Sequence, residues 1–244
     1  MKLQAVEEYN PGGYLIYAAN YPGAFVRGET EAEALAKFPG ELRSYLRWST
    51  GANPGYDDPV VEIVQRKLSP LQVHLADSDV LFDTERQALT PQEYENLKLL
   101  VLRSARDIRK MFASIPNPDI SDRPKRVCFY GAVPRTPREM YEHINQTTAY
   151  YVGAFGLPFE NVPDIYTNRL QALSELEGLP DFLSGTVYTA PDGELWTMRK
   201  VLRRFLWHDR IHARAMWRMA CRTFPEAMIP DPLFFGAPID AAGS

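Results

Sequence analysis

Short apolar runs separated by turn-forming residues occupy the first third of the chain, a pattern typical of β-strands. Gly13–Gly28 contains two such runs around a Pro-Gly turn, which predicts a hairpin. The capping-box signature Thr30-Glu31-Ala32-Glu33 predicts a helix that the Pro39-Gly40 pair bends or splits. Val60–Val64 predicts a further strand. The order strand, strand, helix, strand predicts a small α+β (ββαβ) domain over residues 1–80.

The remainder of the chain repeats apolar residues three or four positions apart, the spacing of amphipathic helices. Four segments carry such a stripe, two of them after a capping-box signature: Thr90–Phe112, Thr136–Phe155, Pro163–Glu177 and Glu194–Arg222. Four helices with modest loops predict a four-helix bundle over residues 81–244. The expected fold is therefore mainly α. The long connection Asp119–Pro134 is expected to line one end of the bundle.

The chain contains four histidines, and two of them have the spacing His208-x-x-x-His212 on the last predicted helix. Side chains four residues apart share one face of a helix. The apolar stripe of this helix passes from Phe205 through both histidines to Ala215, which predicts that both face the core. Because burying an imidazole without a polar partner costs free energy, these two side chains need something to bind.

His143 supplies a third imidazole, near the start of the second predicted helix and beside its apolar stripe. Bundles build metal sites from side chains on facing helices, so His143, His208 and His212 predict a divalent metal site. Neutral imidazoles suit zinc, nickel, iron or copper, and three protein ligands leave the open coordination position of a catalytic site. The alternative is three core histidines that are hydrogen-bonded to tyrosine, asparagine or backbone groups.

The same positions resemble the DinB-like family of metal-binding four-helix bundles. The resemblance covers roughly Glu85 to Phe235 and is carried by three segments: Arg138-Glu139-Met140-Tyr141-Glu142-His143-Ile144, Trp207-His208-Asp209-Arg210-Ile211-His212-Ala213-Arg214 and Ile229-Pro230-Asp231-Pro232-Leu233-Phe234-Phe235. It implies a divalent metal, zinc or nickel first, on the three histidines. It also implies a homodimer, and a thiol S-transferase or thiol-dependent isomerase that uses low-molecular-weight thiols. The open metal position itself would activate water or a thiolate against a small-molecule substrate, which predicts hydrolysis or thiol transfer.

Tyr21-Pro22-Gly23-Ala24-Phe25-Val26-Arg27-Gly28, with the helix that follows, resembles HicB-like antitoxin domains. A toxin–antitoxin role does not follow, because such a small α+β unit is reused in many proteins. The resemblance nevertheless leaves a second hypothesis open. In that hypothesis the chain is a non-catalytic binding or regulatory module that pairs through its HicB-like domain, and the bundle is a scaffold.

Charge and composition narrow these hypotheses. The net charge of -4 gives no general attraction to nucleic acid or to an anionic membrane. No apolar run approaches the roughly 20 residues that span a bilayer, and Met1–Asn10 has no apolar stretch typical of a secretory signal. We therefore expect a cytoplasmic protein with Cys128 and Cys221 as free thiols.

Several polar residues near the histidines have two interpretations. The arginines of the last predicted helix are interpreted as a solvated face paired with glutamates of neighbouring elements, the alternative being an anion site beside the metal: Arg199, Arg203, Arg210, Arg214, Arg218 and Arg222. Glu139 either completes a capping box or orients His143. Asp209 is expected to point away from the histidine face. His74, outside the bundle, is interpreted as an ordinary histidine.

Overall fold

The computed structural model describes residues 2–52, 58–225 and 228–236. It separates into two compact units, which we call the sheet unit (Met1–Ser78 with Asp231–Ser244) and the helical unit (Asp79–Pro230). The chain is therefore a mixture of helices with a small four-stranded sheet.

The sheet unit contains four strands in the spatial order β3-β2-β1-β4: β1 (Lys2–Asn10), β2 (Gly13–Ala18), β3 (Phe25–Gly28) and β4 (Val60–Leu68). β2 and β3 pair antiparallel, which confirms the predicted hairpin. β1 lies between β2 and β4 and pairs parallel to β4. It was not predicted, because its apolar residues are interrupted by Glu7 and Glu8, which the structure buries completely.

Two helices belong to the sheet unit, α1 (Glu31–Leu35) and α2 (Phe38–Thr50). The Thr30 side chain accepts a hydrogen bond from the Glu33 backbone and caps α1, as the sequence predicted. The predicted split occurs just before Pro39, which stands in the first turn of α2, where its missing N–H costs nothing.

The C-terminal segment from Asp231 packs within the sheet unit. The Leu233 side chain is fully buried, and its carbonyl accepts a hydrogen bond of 3.0 Å from Ser44 Oγ. The Arg47 guanidinium lies 4.5 Å from the centre of the Phe234 ring. The described residues after Asp231 therefore belong to the sheet unit together with the strands near the N-terminus.

The helical unit contains four long helices: α3 (Pro91–Ser114), α4 (Pro137–Gly153), α5 (Ile165–Glu177) and α6 (Met198–Thr223). α3 packs against the other three, and α4 also packs against α5 and α6. Each begins at a residue whose side chain accepts a backbone N–H of the first turn: Thr90, Thr136, Asp164 and Thr197. The predicted positions of all four helices are confirmed within a few residues.

Two short hairpins lie in the connections of the helical unit. β5 (Val127–Cys128) pairs with β6 (Gly131–Ala132) between α3 and α4. β7 (Tyr188–Thr189) pairs with β8 (Leu195–Trp196) between α5 and α6. Neither was predicted, because two-residue strands are too short to show alternation.

The arginines of α6 do not form one solvated face. Arg203 is 3% exposed and Arg210 is completely buried, so the interpretation as a solvated face was wrong for both. Arg203 donates to both carboxylate oxygens of Glu85 and to the Val80 carbonyl. The sequence could not indicate this pairing, because Glu85 is 118 residues away in the chain.

A buried ion pair joins α5 to α6. Arg169 and Asp209 are almost completely inaccessible, and the Arg169 guanidinium donates hydrogen bonds of 3.1 and 3.3 Å to the two Asp209 oxygens. Asp209 therefore points away from the histidine face, as predicted. A buried pair of this kind fixes how two helices fit together, and removing one partner leaves a charge without compensation.

We expect Asp209→Asn to lower the free energy of unfolding of the helical unit by about 3 kcal/mol, because Arg169 would keep its charge in a buried place. Urea unfolding of the metal-free full chain, followed by the helical circular dichroism signal, measures this loss. Asp122→Asn is the matched control, because the Asp122–Arg222 pair is exposed and should change stability very little. Equal effects of the two substitutions would contradict the role of the buried pair.

Lys200 anchors the first turn of α6. Its ammonium donates to the carbonyls of Asp79 and Leu195 and lies 2.8 Å from Glu194 Oε1. The side chain is completely inaccessible, and this burial lowers the pKa of Lys200 from 10.5 to about 8, although Glu194 opposes the shift.

Between pH 8 and 10.5 the unfolded chain holds the Lys200 proton more tightly than the folded chain. The free energy of unfolding should therefore rise as the pH rises through this range, by up to about 3 kcal/mol. The reason is that a neutral Lys200 side chain is buried at a lower cost than a charged one. The measurement compares the full chain with Lys200→Met, which shares every other titrating group. A constant stability difference between the two proteins across this range would refute the lowered pKa.

Candidate metal centre

Two helices carry the three candidate histidines. His143 lies in the second turn of α4, and His208 and His212 lie one turn apart on α6. The position of α4 is set by Thr136, whose side chain accepts the Glu139 N–H at 3.1 Å and starts the helix two turns before His143. α4 and α6 pack directly against each other, and this packing brings the histidines together.

The three imidazoles converge as the sequence predicted. One ring nitrogen from each lies within 4.8 Å of the other two, so the group could hold a metal ion. The ring centres are 4.2 Å apart for His208 and His212, 4.5 Å for His143 and His212, and 5.1 Å for His143 and His208. Three imidazole nitrogens from two facing helices are a ligand set that suits zinc.

An unpartnered nitrogen indicates that this cluster fits a cation. His143 Nε2 is buried and has no hydrogen-bond partner, a state that costs free energy in a folded protein. Thr147 Oγ1 donates to the His143 carbonyl at 2.8 Å and meets His208 Nε2 at 3.4 Å. The core-histidine alternative required partners for the imidazoles, and His143 Nε2 does not meet this requirement.

Burial keeps the imidazoles in the form that binds metals. It lowers the pKa of His143. It also holds the pKa of His208 well below its ordinary value, with further contributions from His212, His143 and nearby arginines. Neutral imidazole is the ligating form, whereas a protonated ring has no free nitrogen lone pair. Burial therefore favours the ligating form of His143 and His208.

Two tyrosines frame the group. The Tyr130 ring, at the turn between β5 and β6, stacks on His143 with ring centres 4.9 Å apart and planes 28° apart. On the buried side, the Tyr151 ring meets His208 edge-on at 6.2 Å. Sequence reasoning missed Tyr130, because the connection that carries it has no periodic pattern. Only the expectation that this connection lines one end of the helices pointed towards it.

The other residues considered from the sequence lie elsewhere or have other roles. Glu139 Oε2 accepts the Arg135 backbone N–H at 2.6 Å, so its carboxylate is used at the start of α4. Cys128 is half-buried, contacts the Tyr130 hydroxyl and is not part of the histidine group. His74 lies in a 3₁₀ turn, Val73–Leu75, of the sheet unit.

Comparisons of the chain with protein-family models, with curated proteins and with solved structures found no match. The DinB-like and HicB-like resemblances therefore stay predictions that depend on the quoted motifs. Among the described residues, no helix is both long and apolar enough to cross a membrane.

We expect the full chain, purified without a histidine tag and loaded with Zn²⁺ or Ni²⁺, to retain metal after dialysis. The His208→Ala/His212→Ala variant should lose it, because a single imidazole cannot hold the ion. Elemental analysis by mass spectrometry measures the metal content. His74→Ala is the matched control and should retain as much metal as wild type. Equally negligible metal in wild type and in the double variant would exclude the site.

Proposed function

We propose that the chain is a divalent-metal-dependent enzyme of the DinB-like class, with the metal on His143, His208 and His212. The observation that carries the proposal is the convergence of three imidazoles from two helices, one of them with a buried nitrogen that has no partner. The packing of α3, α4, α5 and α6 against one another supports the four-helix bundle that this class requires.

The composition of the ligand set supports zinc or nickel. Within the part of the chain that the structure describes, the group of potential ligands holds three histidines and no carboxylate. Imidazole suits zinc and nickel, whereas carboxylate and carbonyl oxygens suit magnesium, calcium and manganese. A metal on three imidazoles would supply an open coordination position, at which a thiol or a water becomes more acidic.

The absence of a carboxylate from this group also favours one of the two expected reactions. The metal would make either nucleophile more acidic, but hydrolysis also needs a general acid or base that carries a proton to the leaving group. Among the potential ligands in the described residues there is no acidic side chain for that role. We therefore favour thiol S-transfer. The sulfur of a low-molecular-weight thiol bonds to an electrophilic carbon of a small substrate. The leaving group departs with its electron pair, and the thiol proton passes to solvent.

A second candidate function rests on the sheet unit. Val60, Val64 and Leu68 of β4 are 66%, 42% and 67% exposed. Among the described strands, only β1 pairs with β4, so the other edge of β4 is available to a strand of another chain. This edge favours the non-catalytic hypothesis, in which the HicB-like part pairs with a partner and the helical unit is a scaffold.

We expect the zinc- or nickel-loaded chain to consume a low-molecular-weight thiol in the presence of an electrophilic test substrate such as monobromobimane. Loss of free thiol, measured with and without a chelator, gives the metal-dependent rate. A small activated ester tests hydrolysis in parallel. His208→Ala/His212→Ala should abolish the metal-dependent rate, and His74→Ala should retain it.

Metal bound without metal-dependent turnover of thiol or ester would contradict the enzymatic proposal. Sedimentation of the same preparation, together with recovery of a tight protein partner, then tests the module hypothesis. Loss of that partner in a Val64→Lys variant would assign the pairing to β4.

A further inference from the structure

The β5–β6 hairpin meets the histidine group through its turn. Val127 pairs with Ala132 and Cys128 with Gly131, so Phe129 and Tyr130 form the tip. Gly131 has a φ of 104°, a value that residues other than glycine rarely adopt. This glycine therefore lets the chain reverse directly after Tyr130. The Tyr130 ring lies parallel to His143, and the Phe129 ring meets Tyr130 edge-on at 5.1 Å.

These two aromatic rings are partly exposed. Phe129 is 43% exposed and Tyr130 is 40% exposed, whereas Tyr151 on the buried side of the group is 1% exposed. Covering apolar surface is favourable in water, so exposed rings beside potential metal ligands form a surface that a bound molecule could cover. These rings are not part of a hydrophobic core, because a hairpin with two-residue strands encloses no core of its own.

The hairpin tip contacts the more exposed part of the histidine group. His208 is buried, while His143 and His212 are half-buried. The Tyr130 ring lies 4.9 Å from the centre of the half-buried His143 imidazole. A molecule held by these histidines would therefore lie close to the tip of the hairpin.

We infer that Phe129 and Tyr130 form the substrate-recognition wall of the histidine site and select molecules with a planar aromatic group beside their metal-binding head. The inference rests on the proposed function, because the head must reach a metal on the three histidines. Aromatic pairs prefer offset-stacked or edge-to-face contacts, and the exposed parts of the Phe129 and Tyr130 rings are available for such contacts. Both are specificity-determining residues, and neither is a metal ligand.

Two hydroxamates with the same metal-binding head test this inference. Benzohydroxamate carries an aromatic ring and acetohydroxamate carries a methyl group, and titration calorimetry on the Co²⁺-loaded full chain measures both dissociation constants. The quantity compared between proteins is their ratio, because the two hydroxamates differ in intrinsic affinity for cobalt. Relative to wild type, Tyr130→Ala should reduce the preference for benzohydroxamate by about 3- to 10-fold, the range for one aromatic contact.

Three further variants serve as controls for this experiment. Phe129→Ala should reduce the preference in the same direction, and Tyr130→Phe should preserve it because the ring remains. Val127→Ala, at a 79% exposed position of the same hairpin, should leave it unchanged. The affinity for acetohydroxamate and the Co²⁺ content should be equal in all of these proteins.

The outcomes separate the inference from the proposed function. A chain that binds no Co²⁺ overturns both. A chain that binds Co²⁺ and acetohydroxamate, but whose preference for benzohydroxamate survives Tyr130→Ala, overturns the inference and leaves the metal site intact. Loss of Co²⁺ from Tyr130→Ala would also overturn the inference, because the ring would then support the ligand His143 rather than the substrate.

Discussion

The buried ion pair between Arg169 and Asp209 sets the rotation of α6, and the histidine group depends on that rotation. Successive residues of an α-helix are about 100° apart around its axis, so the direction of Asp209 fixes that of its neighbour His208. With Asp209 held by two hydrogen bonds from α5, His208 faces α4, where His143 stands. A small turn of α6 would separate the imidazoles while leaving its apolar stripe largely buried.

Buried charged side chains also hold the first turns of α6 in place. Lys200 and Arg203 are buried and bind Glu194, Glu85 and backbone carbonyls of the segment that precedes α3. Removing such charges from water is costly, and a buried pair often contributes little net stability compared with apolar residues. Its effect is on geometry, since a helix arrangement that separated these groups would leave buried charges without partners. A site that needs three nitrogens within a few ångströms benefits from this constraint.

The features predicted from the sequence are those with local signals. Thr90, Thr136 and the apolar stripes located the helices, and the His208–His212 spacing on a core-facing stripe located most of the site. The features that were missed depend on distant partners or on irregular segments. Arg203 was interpreted as part of a solvated face, because its partner Glu85 lies 118 residues away in the sequence and meets it only in the folded chain. Similarly, β1 with its buried Glu7, the return of Leu233 to the sheet unit and the stacking of Tyr130 have no periodic pattern.

The buried cations also bear on what the histidine group binds. Burial is the main cause of the low pKa of His208, and the positive charges of Arg204 and Arg169 lower it further. Such charges disfavour protonation, and they oppose a bare dication for the same reason. They favour a dication whose open position holds an anion, because the anion returns part of the charge. A thiolate and a hydroxide are both such anions, so the electrostatics of α6 favour an anionic nucleophile without choosing between thiol transfer and hydrolysis.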